Sequence, residues 1–96
     1  MIFDWDDANR NHIAAHNVTP TEAEHALTHL PLDLEVQENP DDFLRFMQIG
    51  ETGAGRILVL LSTVRGDAIR IISAWDAPKA YKLFYLSEKA RHIWQE

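Results

Sequence analysis

Hydrophobic and polar positions change their period along this chain, and the changes mark its elements. Between Pro20 and His29, Ala23, Ala26, Leu27 and Leu30 fall on one side of a helix, and Pro31 ends it. From Leu32 the period drops to two. Leu32, Leu34 and Val36 alternate with Asp33, Glu35 and Gln37, the pattern of a half-buried antiparallel strand. Asn39-Pro40-Asp41-Asp42 is turn chemistry, and Phe43 to Ile49 is the next strand. Gly50 to Gly55 reads as a glycine-rich turn. Arg56 to Val64 is nearly all apolar, which predicts a central strand covered on both faces. Arg65-Gly66-Asp67 turns the chain into a strand over Ala68 to Ala74. The period then returns to that of a helix from Asp76 to about Trp94, with Asp76 as its cap and Pro78 in its first turn. Ala80, Leu83, Leu86, Ala90 and Ile93 line one face of it. Tyr81, Phe84, Tyr85 and Trp94 widen that face beyond what one small core needs, which predicts a second buried surface such as a subunit interface.

The first quarter holds two helix starts. Thr19-Pro20-Thr21-Glu22 is a capping box with proline at the first helical position, and Val18 and Ala23 stand as a hydrophobic staple. Upstream, Asp6 or Asp7 can cap a helix ending near His16-Asn17. Trp5, Asn9, His12 and His16 then share one face of it. Ile2 to Trp5 is a candidate short strand. The elements describe one α+β domain over residues 1–96: two N-terminal helices, a four-stranded antiparallel sheet with a candidate extra N-terminal strand, and a C-terminal helix.

Composition narrows the setting. The chain is 46% hydrophobic, enough for one small core. It has no cysteine, which rules out disulfides and thiolate metal sites and suits a reducing cytoplasm. No secretory leader is expected, because Asp4, Asp6 and Asp7 occupy the region that would be basic. Ile57 to Leu61 is too short to cross a bilayer. A net charge of −6 counts against a nucleic-acid binder, although nine Lys and Arg leave room for a local basic patch. An acidic surface also suits a basic protein partner.

The N-terminal pattern, Trp5-Asp6, Asn9, His12-Ile13, His16, Val18-Thr19-Pro20 and Glu22, resembles the BrnT-type toxins, small ribonucleases of bacterial type II toxin–antitoxin pairs. The likeness is dense over roughly the first 25 residues and looser beyond. It implies a fold related to RelE-type toxins, an RNA substrate, and an antitoxin partner of ribbon-helix-helix type. Members commonly carry an arginine after the glycine preceding the core strand, and Gly55-Arg56 matches. The C-terminal part departs from the family. Trp75 stands where Arg is usual, Pro78 replaces Thr, Tyr81 replaces Glu and Leu83 replaces a basic residue, while Lys82 and Tyr85 keep the pattern.

Cutting RNA without a metal needs a base for the 2′-hydroxyl, an acid for the 5′-oxygen and cations for the phosphorane. Histidine can move either proton near neutral pH, which makes His16 a candidate catalytic residue and His12 a candidate RNA contact. The alternative is that both imidazoles are structural. Arg45, Arg56 and Arg70 lie on strands expected to be neighbours and are candidate catalytic residues with His16, able to clamp phosphate and neutralise the phosphorane; the alternative for each is pairing with one of the fifteen acids. Lys82 and Tyr85 are further RNA-binding candidates, and Trp75 and Tyr81 could stack on bases. His12/His16 and His25/His29 have zinc-chelating spacing, but no motif completes a ligand set. His25 and His29 are expected to be solvated, and no metal or other cofactor is assigned. The glycine-rich turn precedes a strand, so it offers no helix N-terminus to a phosphate. Two readings follow. One is a metal-independent ribonuclease toxin neutralised by an antitoxin. The other is a non-catalytic relative that keeps the fold and binds protein, favoured by the acidic balance and by Trp75 and Leu83. Self-association through the C-terminal helix or the sheet fits either.

Overall fold

The computed structural model of the chain describes residues 1–38 and 44–94, with side chains up to Arg91. Its elements are β1 (Ile2–Phe3), α1 (Asp7–Ala14), α2 (Pro20–Thr28), β2 (Leu32–Glu38), β3 (Leu44–Glu51), β4 (Ile57–Arg65), β5 (Ala68–Asp76) and α3 (Lys79–Trp94). The turn expected at Asn39-Pro40-Asp41-Asp42, the strand start at Phe43 and the side chains of Ile93 and Trp94 lie outside the described residues.

The strands form one sheet in the order β1-β5-β4-β3-β2. From β2 to β5 it is an antiparallel meander. The expected four-stranded antiparallel sheet with a candidate extra N-terminal strand needs correction: among the described residues the sheet has five strands and is mixed, because β1 pairs parallel to β5 through Ile2↔Ala68 and Phe3↔Ile69. The cause lies in Asn9. Its Nδ2 donates to the carbonyls of Asp4 at 2.9 Å and Ile71 at 3.1 Å, tying the incoming chain to β5, while Asp4 N donates to Ile69 O at 2.9 Å. The first strand therefore lies beside the last, and the two run parallel.

β4 is central, as its apolar run predicts, because alternate residues enter two cores. Leu58 and Leu60 pack with Ile13, Val18, Ala23, Ala26 and Leu27 under α1 and α2. Ile57 and Val59 face the other way, with Ile49, Ala77 and Tyr85. Gly50, expected in a turn, lies inside β3 where α2 crosses. A Cβ there would stand 2.2 Å from the Ala26 carbonyl oxygen, so only glycine lets the helix rest on the strand.

Local starts follow their chemistry. Asp6 caps α1 in a capping box with Asn9, and Thr19 caps α2 in another with Glu22. The staple residues Val18 and Ala23 are both buried. Four expectations give way. α1 ends at Ala14, short of His16-Asn17, because the chain turns through left-handed Asn17 (φ 58°). Leu30 is 79% exposed with φ 56°, since the chain reverses there to enter β2. Asp76 ends β5 rather than capping α3. The face of Ala80, Leu83, Leu86 and Ala90 is not covered by its own chain: Leu83 is 58% and Leu86 53% exposed. α3 is anchored instead by Tyr85, 3% exposed, and by Lys89 Nζ, which donates to Leu30 O at 2.6 Å.

Candidate functional site

Two clusters gather the side chains singled out from sequence. The first forms where the end of α1, the start of β4 and the end of β5 meet. His16 follows the α1 C-terminus, and its backbone N–H donates to Ile13 O at 3.0 Å. Its ring lies 6.2 Å from that of His12 and 6.5 Å from that of Trp75, centroid to centroid. Both histidines are exposed, and Trp75 is half-buried.

Arg56, just before β4, organises this corner. Its Nε and Nη2 donate to the two carboxylate oxygens of Asp76 at 2.7 and 3.2 Å. Its Nη1 reaches Glu22 Oε2 at 3.2 Å and Asn17 O at 2.6 Å, and Nη2 also reaches His16 O at 3.1 Å. One guanidinium thus pins the loop carrying His16 to the sheet through paired, charge-assisted bonds. Asp76 is held below the usual carboxylate range chiefly by the bond from Arg56, with a smaller contribution from Lys82. Glu22 is lowered first by the Thr19 backbone N–H and then by Arg56. Asp76 in turn raises the Arg56 guanidinium. Arg56 is therefore occupied by acceptors of the protein itself. The exposed imidazoles and Trp75 take no part in these bonds.

The second cluster sits at the far end of β4. Cross-strand register puts Arg45, Thr63 and Arg70 in one row over β3, β4 and β5. With Arg65 and Ile72 they line a cleft of about 170 Å³. Arg70 Nη2 donates to Asp6 Oδ1 at 3.0 Å, which raises the guanidinium and lowers the Asp6 carboxyl. Arg70 Nη1 is buried without a hydrogen-bond partner, and Asp4 Oδ2 lies 3.6 Å from it. Arg56 and Thr63 are seven residues apart, about 23 Å along an extended strand. The structure thus brings His12, His16 and Arg56 together and places Arg45 and Arg70 elsewhere.

Tyr85 faces inward. Its hydroxyl donates to Glu51 Oε1 at 3.3 Å, and burial, then Glu51, pushes its pKa up. Lys82 is exposed on the first turns of α3. His25, expected in solvent, is half-buried. Its Nδ1 lies 3.1 Å from Glu51 O, and its ring stacks on His29 at 3.8 Å. Among the described residues, no group of three or more His, Cys, Asp or Glu is placed to hold a metal. Sequence reasoning missed Arg65 and the carboxylates that bind Arg56. Arg65 shares the period-two side of Thr63, a readable signal. From sequence alone Glu22 and Asp76 read only as capping residues.

A model of the family described as ribonuclease toxin, BrnT, of type II toxin–antitoxin system matches residues 5–80. No curated protein and no solved structure matches the chain. The matched stretch covers both clusters and stops at the start of α3, before Lys82 and Tyr85.

Proposed function

The chain belongs to the BrnT family of ribonuclease toxins of type II toxin–antitoxin systems, and from that premise we propose that it is a metal-independent endoribonuclease restrained by a protein antitoxin. The observation that carries this reading is the exposed His16 ring beside His12 and Trp75, on a loop that Arg56 fixes to the sheet. In the proposed reaction His16 takes the proton from a 2′-hydroxyl. The 2′-oxygen attacks the adjacent phosphorus to close a 2′,3′-cyclic phosphate, the P–O5′ bond breaks, and the leaving 5′-oxygen takes a proton from solvent water. His12 and Lys82 contact RNA, Trp75 stacks on a base, and Arg56 positions His16. Tyr85 serves through α3, which it anchors. Arg45 and Arg70 contribute charge to phosphate away from the reacting atoms.

The test is cleavage of a mixed RNA pool by pure protein in EDTA. Wild type cuts, and His16→Ala cuts about 10²–10⁴-fold more slowly, the usual loss for a general acid or base. Its thermal midpoint stays put, because His16 is exposed. Full activity in His16→Ala, or cleavage abolished by EDTA, overturns the mechanism.

The antitoxin, of ribbon-helix-helix type, and a second copy of the chain are the proposed protein partners. The exposed face of Tyr81, Leu83, Phe84 and Leu86 on α3 supports a protein contact there. A kinship with the RelE-type fold and a cytoplasmic setting belong to the same proposal. No helix among the described residues is long and apolar enough to cross a membrane. One observation favours a second reading, a non-catalytic binding module. Arg56 already spends its donors on Asp76, Glu22 and two carbonyls, and neither Trp75 nor Leu83 supplies a replacement cation. Absence of any cleavage by clean wild-type protein at low salt would decide for it.

A further inference from the structure

We propose that the cleft of Arg45, Arg65 and Arg70 is a phosphate-backbone site for single-stranded RNA, separate from the corner that holds His16. The proposal rests on the reading that RNA is the ligand, and not on cleavage.

Four observations converge. The row Arg45–Thr63–Arg70 places two guanidinium groups on the same face of neighbouring strands, and Arg65 joins from two residues beyond Thr63. Arg70 Nη1 is buried and makes no hydrogen bond, its ion-pair partner Asp4 Oδ2 standing 3.6 Å away, and an N–H taken from water without a close acceptor is costly. A phosphate oxygen would complete it. The existing acids leave capacity. Of the cleft's guanidinium donors Asp6 takes only Arg70 Nη2, its Oδ1 also accepting from Asn9 N at the α1 cap, while Asp4 is 3.6 Å from Arg70 and 3.9 Å from Arg65, too far for a strong hydrogen bond. Arg45 makes no ion pair among the described residues. Finally, the lining suits backbone rather than base. Among the described residues it holds three guanidiniums, Thr63 and Ile72, and no aromatic ring for stacking, in a space of about 170 Å³. Thr63 is itself buried, its hydroxyl donating to Leu44 O at 2.8 Å, so it shapes the floor.

This site differs in kind from Arg56, whose donors are met by the protein. A strand bound at both places would span about 23 Å, the length of β4 between them. The acidic chain would then hold RNA through one local concentration of positive charge, despite its net −6.

The test uses a fluorescein-labelled 2′-O-methyl RNA oligonucleotide, which cannot be cut through its 2′ position, titrated at several sodium chloride concentrations. Each neutralised phosphate on a single strand steepens the slope of log K against log salt by about 0.7. Arg45→Gln/Arg65→Gln should therefore flatten the slope by about 1.4. The control Arg10→Gln/Arg91→Gln removes as much charge elsewhere and should keep the wild-type slope. Circular dichroism melts check that both variants fold. Equal slopes in wild type and the Arg45/Arg65 variant, or no binding by wild type, overturn the proposal. Inorganic phosphate tests the other source. If it raises the thermal midpoint of wild type alone while RNA slopes stay equal, the cleft takes a small phosphate ligand and the RNA assignment fails. A chain that shows the expected slopes yet cuts no RNA refutes the ribonuclease reading and leaves this site standing.

Discussion

Asn9 satisfies three backbone groups, one fully buried and two partly buried, with one amide. Its Oδ1 accepts from Asp6 N at 2.8 Å, and its Nδ2 serves Asp4 O and Ile71 O. Asn9→Ala should cost roughly 2–4 kcal/mol, since those groups lose their partners inside the protein. Urea unfolding measures it, and a loss under about 0.5 kcal/mol would mean water replaces the amide. The sequence put Asn9 on a chemical face with His12 and His16. The face is real, but Asn9 looks into the sheet at 3% exposure while the histidines look out. Helical spacing gives a direction for a side chain and cannot say whether the sheet or water lies there. Arg56 shows the same limit: its strand start was legible, its carboxylate partners were not, because they come from 34 residues before and 20 after. These partners also set a pH dependence. Asp76, Glu22 and Asp6 all have folded pKa values below their ordinary ones. Their stabilising effect is therefore complete above the unfolded values, about 3.9 for Asp and 4.3 for Glu, and is lost as pH falls through the lowered folded values. In Arg56→Gln the acid-side loss of stability below about pH 4 should be shallower than in wild type. An identical acid limb in the two proteins would show that Arg56 does not hold Asp76 and Glu22.

At the scale of elements, α2 and β4 were the most legible, because each is specified locally. Thr19, Pro20 and Glu22 start the helix by their own hydrogen bonds, and an unbroken apolar run has to be covered on both faces. β1 is two residues long and gains its place from Asn9 and β5, so its own residues say little. α3 taught the opposite lesson. Its apolar stripe was visible, but a stripe does not say which chain will cover it. Leu83 and Leu86 lie open, while Tyr85 is buried against Glu51. Two substitutions on this one helix should therefore behave differently. Tyr85→Ala removes a buried aromatic and should cost about 3 kcal/mol. Leu86→Glu changes an exposed position and should move folding stability by less than about 0.5 kcal/mol, while weakening any protein contact made by that face. Thermal melts and sedimentation separate the two effects. Equal destabilisation would mean that the face is covered within the chain.

Across the whole molecule, charge is segregated along the sequence. Residues 1–78 hold five Arg and no Lys against thirteen Asp and Glu, whereas residues 79–91 hold four Lys and Arg against Glu88 alone. The basic segment is α3, the element with the uncovered apolar face. On the sheet, an open cleft of about 510 Å³ at β2 and β3 is lined by Leu34, Val36 and Phe46 with Asp33 and Glu35, apolar and acidic together. α3 of one copy and this cleft of another are complementary in both polarity and charge. Self-association through this pair should combine apolar burial with an attraction that salt screens, because the Debye length falls from about 10 Å at 0.1 M to about 3 Å at 1 M. Sedimentation equilibrium should therefore show a dimer constant that weakens several-fold between 0.05 and 0.5 M sodium chloride. Val36→Lys should weaken it further by placing a cation in the cleft, with little change in folding because Val36 is 56% exposed. Association that is indifferent to salt and survives Val36→Lys would mean that the cleft is not where α3 docks. A monomer at every concentration would leave the exposed face of α3 to the antitoxin.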